Sequence, residues 1–153
     1  MKEYKGRAVV KGNVTGRLLV SHYGLNVLAS YSGVLTNPSA PAVCIDADNK
    51  DLYNKDLAGV ILCIPQVIGS TTAGMLIQTI AALKKHPKAI IFANPIDSLA
   101  LSGVLLADIW ENTKIVAVDR LGEAFLDEVK DGQMAEIKED GTIIIEDERE
   151  GRE

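Results

Sequence analysis

The apolar residues of this chain gather into three dense runs, at positions 57–65, 88–94 and 114–118, each followed or preceded by a segment of helical spacing. Continuous apolar runs of this length, without polar alternation, predict strands buried on both faces. Between and after them the pattern predicts helices over 70–84, ended by His86 and Pro87, over 99–108, capped by Asp97 or Ser98, and over 121–130. Such an alternation argues for parallel pairing, because each crossover between parallel strands needs a dozen or more residues.

The two ends of the chain follow another pattern. Residues 5–20 read as two short strands broken by Gly12 and Gly16, the beginning of an antiparallel or barrel-like sheet. Residues 134–138 and 142–146 flank Asp140-Gly141, a hairpin signal of the two-residue kind. Residues 26–51 carry little periodicity, and Ser30, Ser32, Gly33, Asn37, Pro38, Ser39 and Pro41 predict a long irregular loop, which suits a function better than a scaffold. The expected architecture is an α/β fold: a compact β/β/α unit in which antiparallel strands from both termini meet a parallel αβ core. It occupies residues 1–147, with 148–153 a charged, frayed tail.

Composition narrows the chemistry. The 153 residues carry a formal charge of −5, and residues 136–153, with 8 acidic and 3 basic side chains, account for all of it. A neutral body with an acidic end offers no electrostatic reason to bind nucleic acid or an anionic membrane surface. No apolar segment is long enough to cross a bilayer and the start has no signal-like h-region, so a cytoplasmic location is expected. Cys44 and Cys63, the only 2 cysteines, sit in apolar stretches without a CxxC partner, so buried thiols and no metal bound by this chain alone are expected.

Candidate chemistry concentrates where the first apolar run empties through Pro65 into Gly69-Ser70-Thr71-Thr72 at the start of a helix. A strand that delivers hydroxyl residues to a helix start gathers unpaired N–H groups, the positive end of the helix dipole and several hydroxyls at one point. It is an anion site by construction, although Ser70 or Thr71 also suits the plainer role of N-cap. There is no GxSxG elbow, Walker loop, HExxH or dinucleotide fingerprint. Plainer readings fit other residues as well: Arg17 as a solvated side chain, Asp46 as a turn former, Asp97 as an N-cap, and Trp110 as a packing or interface aromatic. Glu111 and Asp119 follow separate elements and form no paired-acid motif.

In this order the segments resemble the small, swivelling-domain component of the aconitase X family. Leu57-Ala58-Gly59, Pro65 and Gly69-Ser70 are similar to a family run L-x-G-x-V-L-x-x-P-x-G-R-G-S-S, and Asp97, Leu99 and Gly103 to its later D-x-I-L-x-x-G segment. Gly16-Arg17 followed by Leu18-Leu19-Val20-Ser21 is similar to the family's opening, Tyr31-Ser32-Gly33-Val34 to W-G-G-V, and Val43-Cys44-Ile45-Asp46 to V-I-D. The resemblance runs from about Arg7 to Glu146. It implies a small subunit of a hydro-lyase that dehydrates a hydroxy acid, phosphomevalonate-like or 3-hydroxyproline-like, together with a large subunit carrying an iron–sulfur cluster. On this resemblance Ser70 is the general base, and Gly69, Thr71, Thr72, Ser32 and Gly33 are substrate-binding.

The chain also departs from that pattern. Ile68 stands where the family's motif has Arg, the Asp after W-G-G-V gives way to Leu35-Thr36, and Asp48-Asn49 replace a His pair. The first change removes a guanidinium suited to bidentate grip on a carboxylate or phosphate. Together they point to a different substrate or to a lost activity, and they keep open an alternative: a non-catalytic swivelling module that binds an anionic ligand or a partner protein through Gly69–Thr72.

Overall fold

The computed structural model describes residues 1–146, so the expected tail at 148–153 lies outside the described residues. The chain runs β1 (Lys2–Lys5), β2 (Arg7–Val10), β3 (Val14–Val20), β4 (Leu25–Asn26), α1 (Val27–Thr36), β5 (Ile61–Ile64), β6 (Val67–Ile68), α2 (Ala73–Ala82) and β7 (Ala89–Phe92). It continues through α3 (Ser98–Trp110), β8 (Val116–Asp119), α4 (Glu123–Glu128), β9 (Met134–Ile137) and β10 (Thr142–Ile145). Eight strands form one sheet in the order β1-β10-β9-β3-β5-β7-β8-β2, and β4 and β6 form a separate parallel pair.

As the three apolar runs predict, β5, β7 and β8 pair in parallel, and β3 extends the parallel set at β5. Their alternate residues fill two cores. Ile61, Cys63, Ala89, Ile91, Val116 and Val118 face one core with β9, β10 and α4. Leu62, Ile64, Ile90, Phe92 and Ala117 face the other, under α1, α2 and α3. Two covered faces leave no solvent side on which polar residues could alternate, which is why these strands read as unbroken apolar runs.

The terminal strands are antiparallel, as expected, but β2 and β3 do not pair with each other. β3 joins β9 through its first half and β5 through its second, whereas β2 lies at the far edge on β8. Gly16 lies inside β3 rather than breaking it. Only Gly6 separates β1 at one edge from β2 at the other, so the sheet curls until its edges meet. Gly6 has room for no side chain: an added Cβ would sit 2.6 Å from Val118 Cγ1 and 2.7 Å from Asp119 O.

Several expectations need correction. The stretch 26–51 is not all irregular, because α1 occupies its first part. Its N-cap is Asn26, whose side chain accepts the Ala29 N–H, and Val27, Ser30, Tyr31 and Val34 bury one face at helical spacing. The helix predicted from Ser70 begins at Ala73, and its N-cap is Thr72, not Ser70 or Thr71. The closing hairpin has a three-residue loop, with Lys138 bonded to Thr142 O and Gly141 at φ 90° bonded back to Lys138 O. A type I turn followed by a left-handed glycine accounts for this geometry.

Candidate functional site

The parallel strands end on one rim of the sheet, and the connections that leave it carry the candidate residues. In open parallel sheets ligands bind outside the carboxyl ends of the strands, where helix starts and loops converge. Here the turn Gly69–Thr72 leaves β6 and enters α2. Three helix starts lie around it: Asn26 of α1 stands against Gly69, Thr72 begins α2, and Asp97 of α3 bonds β6 at Val67.

The turn has a defined hydrogen-bond pattern. Ser70 Oγ accepts the Thr72 N–H at 3.2 Å and lies 2.9 Å from Thr72 Oγ1, while Ser70 O accepts the Ala73 N–H at 3.2 Å. Thr72, although the N-cap, makes no side-chain cap bond. Asn26 and Asp97, by contrast, each accept an N–H of their own helix, from Ala29 at 3.1 Å and from Ala100 at 2.9 Å. The start of α2 is therefore open, and Ser70, Thr71 and Thr72 are all exposed to solvent. Gly69 turns the chain at φ 101°, and an added Cβ there would lie 2.9 Å from Asn26 Nδ2.

Ser32 and Gly33 sit in the middle of α1, about 10 Å along the axis from its Asn26 end. Ser32 Oγ bonds Ala29 O at 3.4 Å, and the open side of Gly33 faces Ile45 at 3.9 Å. The side chain that meets the turn is Asn26. Its signal was an Asn directly before apolar positions at helical spacing. Asp97 does more than cap α3, because its second oxygen accepts the Val67 N–H at 3.1 Å.

The plainer readings hold for Asp46 and Arg17. Asp46 Oδ1 accepts the Asp48 N–H in a turn, and exposed Arg17 donates to Gly132 O. Trp110, expected as a packing or interface aromatic, is 72% exposed at the end of α3 and packs into neither core, which corrects the packing reading. Tyr31 lies in the helix-covered core, where burial pushes its hydroxyl pKa up.

Comparison with known proteins places this geometry. Residues 3–145 match the family described as the aconitase X swivel domain. The chain belongs to that family. It is 30% identical over 144 residues to the phosphomevalonate dehydratase small subunit of Thermococcus onnurineus, covering 94% of this chain and 98% of that one. It is 31% identical over 108 residues to the protein of the same name from Pyrococcus furiosus, covering 69% and 72%. The crystal structure of Thermococcus kodakaraensis aconitase X, in its holo-form, superposes with a TM-score of 0.79 at 25% identity, covering 96% of this chain and 100% of that chain.

Within this aconitase X swivel domain, Ile68 leaves the turn without its own cation. Its side chain is 43% exposed and rests on Gly24, where an added Cβ would lie 2.6 Å from Ile68 Cγ2. Charge at the turn falls instead to neutral donors, the backbone N–H groups and the α2 dipole. Cys44 and Cys63 are free and buried, each within one of the two cores, and burial pushes the Cys63 thiol up, away from the thiolate that a metal would require. These two residues do not fit an iron–sulfur ligand set. No helix among the described residues is long and apolar enough to cross a membrane.

Proposed function

We propose that the chain is the small subunit of an aconitase X-like hydro-lyase, dehydrating a hydroxy acid such as phosphomevalonate with a large subunit, and that Ser70 is its general base. The observation that carries the reading is the placement of Ser70 Oγ, exposed at the open start of α2 and already accepting the Thr72 N–H. An unassisted serine hydroxyl is a poor base near neutral pH. The Thr72 N–H, the Thr72 hydroxyl at 2.9 Å and the α2 dipole all favour the alkoxide, more strongly once water is excluded. Ser70 then takes the proton from the carbon beside the substrate's carboxylate. Free N–H groups around Thr71 are suited to hold a substrate oxygen.

An iron–sulfur cluster in the large subunit would supply the Lewis acid that draws off the leaving hydroxyl. This chain's part is to place the base and close the site. Leu28, Ile68 and Met75, all exposed, stand on β6 and on the first turns of α1 and α2 beside the Ser70 turn. Docked against a second subunit they would exclude water from it. The family relatives named small subunits support such a partner, and a cytoplasmic setting suits a reduced cluster chemistry.

The substitution at Ile68 favours the second reading, a non-catalytic swivelling module that binds an anionic ligand or a partner protein through Gly69–Thr72. Anaerobic co-purification with the large subunit, iron and sulfide analysis, and an assay with phosphomevalonate and other 3-hydroxy acids separate the two. Turnover by an iron-bearing complex supports the hydro-lyase. A stable complex that dehydrates none of them supports the module.

A further inference from the structure

We infer that Asp97 is a positioning residue for the Ser70 turn: one carboxylate oxygen starts α3, and the other holds β6, and through it the serine, in place. The inference rests on the assignment of Ser70 as base and adds the group that fixes it. Asp97 Oδ1 accepts the Ala100 N–H at 2.9 Å and Oδ2 accepts the Val67 N–H at 3.1 Å. An N-cap needs only the first of these bonds. The second reaches out of α3 to a residue three positions before Ser70.

On the α3 side the neighbouring tie, the Asn94 N–H to Pro65 O at 3.2 Å, lies before β6 begins, and it is Asp97 that bonds β6 itself. β6 is two residues long and its ladder partner β4 is equally short, and such a pair is marginal by itself. On its other side β6 is flanked by Leu25, whose N–H bonds Gln66 O at 2.9 Å, and by Asn26 against Gly69. Val67 is buried, so its N–H would lose a partner that water could not readily replace. The anchor is itself braced. The Ile96 N–H, one residue before Asp97, donates to Asp119 Oδ2 at 2.7 Å, and Arg7 grips both oxygens of Asp119 at 2.9 and 2.7 Å. A connected path thus runs from β2 and the end of β8, through the start of α3, to the serine turn.

Asp97→Asn tests this selectively. A carboxamide caps a helix as well as a carboxylate but has one acceptor oxygen, so it can serve Ala100 or Val67 and not both. With the cap kept, the Val67 amide should exchange with solvent about ten- to a hundredfold faster, as loss of a bond to a charged acceptor implies. In the two-subunit enzyme kcat should fall at least about tenfold, with KM and assembly unchanged. Should the carboxamide turn to keep Val67 and release Ala100, kcat must hold while α3 frays at its start. Asp97→Ser, which can still cap but cannot reach Val67, should behave as the first case. A fall in kcat with Val67 protection intact, or normal kcat with that protection lost, overturns the proposal. Ser70→Ala measured alongside keeps the two claims apart: turnover by that variant sinks the base assignment, and amide exchange at Val67 still decides whether Asp97 holds the turn.

Discussion

Replacing Gly103 with alanine sets two effects of known size against each other. Gly103 lies inside α3, where alanine is favoured over glycine by about 0.8–1.0 kcal/mol. But α3 packs directly on α2 at this point, and an added Cβ would lie 2.6 Å from Ile77 Cβ and 2.8 Å from Ile77 Cδ1. Carbon atoms settle at about 3.5–4.0 Å, so α2 would have to retreat by roughly 1 Å. Ile77 Cβ is fixed to the backbone, and no rotamer change relieves the contact. Overpacking of this kind costs about 1–3 kcal/mol, which leaves a net destabilisation of about 0–2 kcal/mol. The sign therefore decides between seam and propensity. Urea unfolding of the full chain should show a lower midpoint at unchanged slope. Because α2 begins at the Ser70 turn, turnover of the proposed two-subunit enzyme should fall by more than the loss of stability implies. A variant stabilised by about 1 kcal/mol, as propensity alone requires, would refute the close packing of the two helices.

Other outcomes follow from the same geometry. Gly69→Ala forces an L side chain to φ 101° against Asn26 and should cost about 1–3 kcal/mol in chemical unfolding, with a larger proportional loss of kcat. Asp119→Ala strands the half-buried Ile96 N–H and the Arg7 guanidinium and should cost about 1–3 kcal/mol by the same measurement. Burial pushes the Asp119 pKa up, but Arg7 and the Ile96 N–H outweigh it and the net shift is downward. Asp140, bonded by Thr142 and Lys5, is lowered to about 2 from 3.8. A depressed carboxylate contributes stability that is complete above its unfolded pKa and is lost as pH falls through the folded value. Thermal stability should thus fall between about pH 4 and pH 2, and Asp140→Asn should flatten that decline.

The parts of the fold legible in the sequence are those whose local signal and tertiary role agree. The buried strands β5, β7 and β8 announce themselves because both faces are covered, and the Asp97 cap of α3 stands where helix-start chemistry places it. α1 was hidden because its residues, VLASYSGVLT, include two serines, a glycine and two β-branched valines, all weak helix formers. Its helix depends on the Asn26 cap and on burying Tyr31 and Val34 against the core. β1 was hidden for a different reason: KEYK has no apolar run, and the strand exists through its ladder to β10 and ion pairs from Lys2 and Lys5 to Glu128 and Asp140. At the site, the strand-to-helix transition exposed Ser70 to sequence reasoning. The contributions of Asn26 and Asp97 depend on three helix starts meeting across about 70 residues of chain, from Asn26 to Asp97, and no local pattern carries that.

The most direct measurement is phosphomevalonate turnover by the proposed two-subunit assembly when Ser70 is replaced by alanine. Ser70 is exposed and its hydroxyl bonds Thr72 of its own turn, so Ser70→Ala should change the stability of the chain by no more than about 0.5 kcal/mol and leave assembly intact. The account predicts that turnover is lost, together with exchange of the substrate's activated hydrogen with deuterium from solvent. Turnover and exchange at the unaltered rate in the Ser70→Ala complex would contradict it.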